Sequence, residues 1–168
     1  MKSLVIYYSR NGENYFGGTI KYIEKGNTEI IALKLKKMTN SDIFCCEQIT
    51  PYSMNYRQCV KEAHDDYVNH NYPQIKPFNL DLKDYDLIYL CYPNYCGTMP
   101  MAMFSLLKDL DLKGKIIKPL CTHEGSGLAN SENDIKKLCP NSIIKPGIAI
   151  KGSNVESEDL NLEKWINE

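Results

Sequence analysis

Short apolar runs alternate with longer amphipathic stretches along this chain, and that alternation predicts an α/β domain, a parallel sheet covered by helices. Two further observations agree. The run Asp86–Tyr92 is apolar almost without a break, as a central strand buried on both faces requires. Three strand ends run into loops rich in small polar residues and glycine, the places where an open parallel sheet binds its ligand.

Taken in order, Leu4–Tyr8 reads as the first strand, rich in β-branched and aromatic residues. The stretch that follows has two readings. A helix from Asn14 would carry Gly17 and Gly18 in its interior, at a cost of about 2 kcal/mol against alanine. Alternatively Asn11–Gly26 is an extended loop or small hairpin with Asn11-Gly12 and Gly17-Gly18 as turns, and the first helix starts at Asn27-Thr28 and runs to Met38. The second is preferred. Asp42–Ile49 is then the second strand, and Tyr52–Asn69 a long polar-faced helix.

Lys115–Cys121 reads as another strand, and Ile143–Ile150 as a weaker last one interrupted by Pro146-Gly147. Pro100–Leu110 is a helix with proline in its first turn, where the missing N–H is harmless. Ser131–Leu138 is a helix starting on a capping serine. The tail Ser157–Ile166 carries Leu160, Leu162, Trp165 and Ile166 and is expected to dock on the sheet edge. With neither an internal repeat nor a low-complexity linker, residues 1–168 are expected to form one domain.

Composition narrows the function classes. Twenty basic and 21 acidic residues leave a formal charge of −1, with no broad basic field for nucleic acid. No apolar run approaches the roughly 20 residues that a bilayer span needs, so no membrane insertion is expected. The N-terminus runs straight into a strand pattern without a signal-peptide core, and a cytoplasmic protein is expected. Seven cysteines, an odd number without a C-x-x-C pair, read as small buried hydrophobes in a reducing compartment. His64 and His70 read as surface residues, and no metal site is expected.

The three loops carry the chemistry. Ser9, Arg10 and Asn11, joined by Gly26, Asn27 and Thr28 at a helix start, offer hydroxyls, amides and free N–H donors to a phosphate. Pro93-Asn94-Tyr95-Cys96-Gly97-Thr98 sets an aromatic beside a glycine, so that Tyr95 either lies against a conjugated ring or fills the core surface. Thr122-His123-Glu124-Gly125-Ser126-Gly127 offers small polar groups and backbone amides to a polar ring edge; His123 reads as a hydrogen-bonding residue rather than a base. There is neither a G-x-x-x-x-G-K-[ST] loop nor a G-x-G-x-x-G after the first strand.

Together these residues resemble flavodoxins, specifically the flavodoxin-like branch with an extended first loop. Tyr7-Tyr8-Ser9-Arg10 followed by Gly26-Asn27-Thr28-Glu29 resembles that family's phosphate loop split by an insertion. Tyr92–Ala102 is similar to its second flavin loop and Cys121–Leu128 to its third, and the likeness continues through Ser131–Ile135, Leu138-Cys139-Pro140 and Gly152-Ser153. The resemblance implies a doubly wound sandwich, a five-stranded parallel sheet of order 2-1-3-4-5 with helices on both faces. It implies FMN as cofactor, with phosphate at Ser9, Arg10, Asn27 and Thr28 and the ring between Pro93–Thr98 and Thr122–Gly127. One departure stands out: family members commonly carry two aromatics where this chain has Tyr95-Cys96.

The expected function is electron carriage between redox partner proteins. The alternative is an NAD(P)H-dependent FMN oxidoreductase acting on a quinone or similar small acceptor. A flavin-free binding module is the third possibility.

Overall fold

The computed structural model describes residues 1–157 and 160–168. Its centre is a parallel sheet of β1 (Ser3–Tyr7), β4 (Asp42–Cys45), β5 (Leu87–Pro93), β6 (Ile116–His123) and a last position shared by β7 (Ile143–Ile144) and β8 (Ile148–Lys151). The spatial order β4-β1-β5-β6-β7/β8 is the expected 2-1-3-4-5. Register is continuous across the centre: Leu4 and Ile6 pair with Ile88 and Leu90, and Tyr92 pairs with Cys121.

The break in the last strand has a cause in its neighbour. β7 pairs with Ile116–Ile117 and β8 with Leu120–His123, and the gap falls beside Pro119. Proline has no N–H to give to a ladder. Gly147 lies so close that an added Cβ would come within 2.9 Å of the Pro119 carbonyl oxygen.

Alternation along the strands builds two cores. Leu4, Ile6, Ile88, Leu90 and Tyr92 face α3 (Met101–Asp109) and α4 (Ser131–Leu138), meeting Ala102, Met103, Leu106 and Ile135. Val5, Tyr89, Cys91 and Leu120 face α1 (Asn27–Thr39) and α5 (Leu162–Asn167), meeting Ile31, Leu35 and Trp165. α2 (Tyr56–Val68) buries only Cys59 and Ala63 and lies over the carboxyl end of the sheet rather than in a core. Among the described residues no helix is long and apolar enough to cross a membrane, and no cluster of His, Cys, Asp or Glu is arranged to hold a metal ion.

Several expectations are refined. The segment after β1 is a hairpin, β2 (Gly12–Phe16) antiparallel to β3 (Thr19–Ile23), with Gly17 and Gly18 at φ +61° and +97° in its two-residue turn. Positive φ at both central positions suits the right-handed strand twist and excludes the helical reading. The second strand stops at Cys45 instead of Ile49, and Gln48 instead bridges to Ile75. Ser131 is the first helical residue of α4 and not its cap; its hydroxyl donates to the Leu128 carbonyl (2.6 Å) and accepts from the Tyr92 hydroxyl (2.8 Å).

Within the tail, α5 spans Leu162–Asn167, and Glu158 and Asp159 lie outside the described residues. It docks on the α1 face of the sheet, not its edge. Trp165, 6% exposed, sets its ring 5.7 Å from that of Tyr89 and donates its indole N–H to the Pro146 carbonyl at 3.0 Å. Beneath it Lys118, itself buried, donates its amine to the carbonyls of Trp165 and Ile166 at the helix C-terminus, where a cation is favoured. Burial pushes the Lys118 pKa down.

Trp165→Ala should therefore lower folding stability by about 3–5 kcal/mol, read as a lower urea midpoint at unchanged slope. A loss below about 1 kcal/mol would show that α5 contributes little to the core.

Candidate cofactor site

A cleft of about 470 Å³ opens at the carboxyl ends of β1, β5 and β6, within the size range of small-molecule sites. All three loops singled out in the sequence reach it. The first and third are joined directly by the hydroxyls of Thr28 and Thr122, 2.7 Å apart and buried.

The first loop is shaped by Gly26, the N-cap of α1, which has no side chain to cap the helix. The Ser9 hydroxyl takes that role from outside, accepting the Glu29 N–H at 3.0 Å. A Cβ on Gly26 would lie 2.1 Å from the Ser9 hydroxyl oxygen and 2.6 Å from the Arg10 carbonyl oxygen, so only glycine brings β1 and α1 this close. The amides of Asn27 and Thr28 have no intrahelical acceptor, and both residues line the cleft. This end therefore combines free N–H donors with the positive end of a helix dipole.

Arg10 lines the cleft as well, but its terminal nitrogens donate to the carbonyls of Glu13, Ser53 (2.6 Å) and Met54 (2.9 Å). It is a strut between the hairpin and the segment leading into α2. Its Nε is buried and has no partner among the described residues. Asn11 is exposed and lies outside the lining.

The second loop closes on itself. Tyr95 and Thr98 exchange both backbone hydrogen bonds (2.8 and 3.0 Å) around a two-residue turn in which Cys96 and Gly97 have φ +55° and +78°. Asn94 fixes it, accepting the Gly97 N–H at 3.1 Å and donating to the Gly127 carbonyl at 2.9 Å. Pro93, Asn94, Tyr95, Cys96 and Gly97 line the cleft. Thr98 is buried beneath it, with its hydroxyl on Asp134 at 2.6 Å. The Tyr95 ring packs edge-on against Tyr8 at 6.0 Å, and its hydroxyl lies beside Cys59. Partial burial raises the Cys96 pKa, which keeps this exposed side chain a thiol.

In the third loop Thr122, His123, Glu124, Gly125 and Ser126 line the cleft, while Gly127 stands behind them. Glu124 accepts from the Ser153 N–H (2.7 Å) and from the Gly17 N–H at the hairpin tip (3.3 Å). His123 accepts the Gly125 N–H on Nδ1 at 2.9 Å, which leaves the proton of the neutral ring on Nε2.

Seven lining residues were not singled out as site residues in the sequence: Asn14, Tyr15, Tyr56, Cys59, Val60, Ala63 and Gly152. Four of them stand at i, i+3, i+4, i+7 on α2, a stripe legible as amphipathic but not as a cleft wall. Asn14 and Tyr15 come from the hairpin.

The His123 pKa is lowered from the ordinary 6.5, chiefly by burial and also by Lys151, with Glu124 opposing. Its contribution to the loop is complete above 6.5 and is lost as pH falls through the depressed folded value, where protonation removes the acceptor from the Gly125 N–H. An NMR titration should give a His123 midpoint below 6.5, tracked by the Gly125 amide. A midpoint above it would contradict this geometry.

Solved structures with this fold are similar over nearly the whole chain. One described as a flavoprotein, from Bacteroides eggerthii DSM 20697, is 23% identical with a TM-score of 0.72, covering 99% of this chain and 96% of its own. A flavoprotein in complex with FMN, from Lactobacillus acidophilus NCFM, is 19% identical with a TM-score of 0.65, covering 98% of each chain. A flavodoxin from the domain Archaea is 14% identical with a TM-score of 0.51, covering 99% and 92%. No curated protein matches. A flavodoxin family model matches residues 19–168, spanning the second and third loops and the start of α1, and this chain belongs to the flavodoxin family.

Proposed function

We propose that the cleft holds FMN non-covalently and that the protein uses it to carry electrons between redox partners. The residues fit the group. Gly26 brings the start of α1 against Ser9, Gly152 lines the cleft where a Cβ would strike Asn27, and the Nε of Arg10 is buried without a partner among the described residues. Ser9, Asn27, Thr28 and the first amides of α1 would hold the phosphate. The backbone of Asn94–Gly97 and of Gly125-Ser126 would meet the polar edge of the ring. The structural neighbour crystallised with FMN supports the same cofactor.

Bound FMN supplies reversible one- and two-electron reduction; the protein sets its surroundings. His123, neutral and oriented through Gly125, offers its Nε2–H as a donor at the third loop. Thr28 and Thr122 hold two walls of the cleft together.

The observation that favours a carrier is the charge of the lining. Among the described residues that form it, Arg10 is the one Lys or Arg, and its terminal nitrogens are committed to backbone carbonyls. That leaves little to grip the diphosphate of a nicotinamide dinucleotide. A second reading, an oxidoreductase acting on a quinone or similar small acceptor, draws on the apolar wall of Val60 and Ala63 and the small Cys96.

Purified protein loaded with FMN should show flavin absorbance. It should reduce in two separate one-electron stages with dithionite under anaerobic conditions and ignore NADPH. Direct bleaching by NADPH in one two-electron stage would replace the carrier by the reductase.

A further inference from the structure

The three loops bring two rings to the cleft, the Tyr95 phenol and the His123 imidazole. Tyr95 packs edge-on to Tyr8, with its hydroxyl beside Cys59. Its neighbour is the small Cys96, and Thr122–Gly127 contains no Phe, Tyr or Trp. Beyond Tyr95 and His123, the aromatic rings lining the cleft are those of Tyr15, from the hairpin, and Tyr56, from the first turn of α2.

These two rings stand as a pair, with centroids 6.3 Å apart and planes inclined by 31°. Their frame is built from four sides. The Glu13 carboxylate accepts the Tyr56 N–H at 2.9 Å and the Asn55 amide at 3.0 Å. The Glu13 N–H donates to the Met54 carbonyl at 3.1 Å, and the Arg10 guanidinium ties the same two segments together. At the far end of the hairpin, Glu124 accepts the Gly17 N–H. The hairpin is thus latched at its root and its tip, holding Tyr15 42% exposed over the cleft. An exposed aromatic fixed in this way is poised to gain contact area without losing much side-chain freedom.

We propose that Tyr15 and Tyr56 form the aromatic cover of the bound isoalloxazine, so that the hairpin inserted after β1 is part of the cofactor site. The inference rests on the FMN reading and adds residues to it. Aromatic contact both tightens binding and quenches flavin emission, and the two readouts separate contact from mere folding.

The test titrates FMN into apoprotein and follows flavin fluorescence for the wild type and for Tyr15→Ala, Tyr15→Phe, Tyr56→Leu and Tyr22→Ala. Tyr22 is 57% exposed on the other hairpin strand and does not line the cleft, so it controls for disturbance of the hairpin. Tyr15→Ala and Tyr56→Leu should weaken Kd roughly tenfold and leave the bound flavin brighter, whereas Tyr15→Phe and Tyr22→Ala should match the wild type. If wild type binds FMN while Tyr15→Ala and Tyr56→Leu keep its Kd and its quenching, the cover is overturned and the FMN reading stands. A wild-type protein that takes up no FMN overturns both.

Discussion

The chain leaves the central sheet at Arg10 and must return to the same point by Gly26 before α1 can start beside β1. That closure depends on a contact in which Gly26 lies against Ser9 and Arg10 with no room for a Cβ. With the contact made, the Ser9 hydroxyl caps α1, Asn27 and Thr28 line the cleft, and Thr28 reaches Thr122 across the sheet. A larger residue at 26 would push the start of α1 away from the strand end, and the donor cluster would disperse with it.

The same closure frees the intervening residues to form a hairpin outside the main sheet, and polar contacts hold it there. Arg10 and Glu13 bind it to residues 53–56, and Glu124 binds its tip to the third loop and to Ser153. One carboxylate thus joins three separated segments, and one guanidinium serves three carbonyls. Hydrogen bonds with a charged partner are stronger than neutral ones, which suits a two-stranded ribbon that would be marginal alone. The hairpin in turn fixes the approach of α2, whose Tyr56, Cys59, Val60 and Ala63 form a wall of the cleft instead of a core contact.

Much of this was legible in the sequence because burial on both faces leaves near-continuous apolar runs, as in Leu4–Tyr8 and Asp86–Tyr92. The paired glycines at 17 and 18 argued against a helix and fit the turn that forms. Long-range partners were not legible. Arg10 reads as an anion ligand, yet its terminal nitrogens are taken by carbonyls as far away as Met54. Ser131 reads as a cap, yet its hydroxyl serves Tyr92 on a neighbouring strand. The stripe on α2 has the spacing of a core face, and nothing in that spacing tells a core from a cleft. The tail's apolar residues announced docking, but its position on the sheet is set by Lys118 and Pro146, distant in the chain.

The central claim is that the end of the cleft at α1 is a phosphate cradle and the rest a flavin site. Titrating apoprotein with FMN and, separately, with riboflavin tests both halves at once by isothermal calorimetry, because the two ligands differ only in the phosphate. The account predicts one FMN per chain, bound at least about tenfold more tightly than riboflavin. Equal affinity for the two ligands would contradict the cradle, and no uptake of either would contradict the site itself.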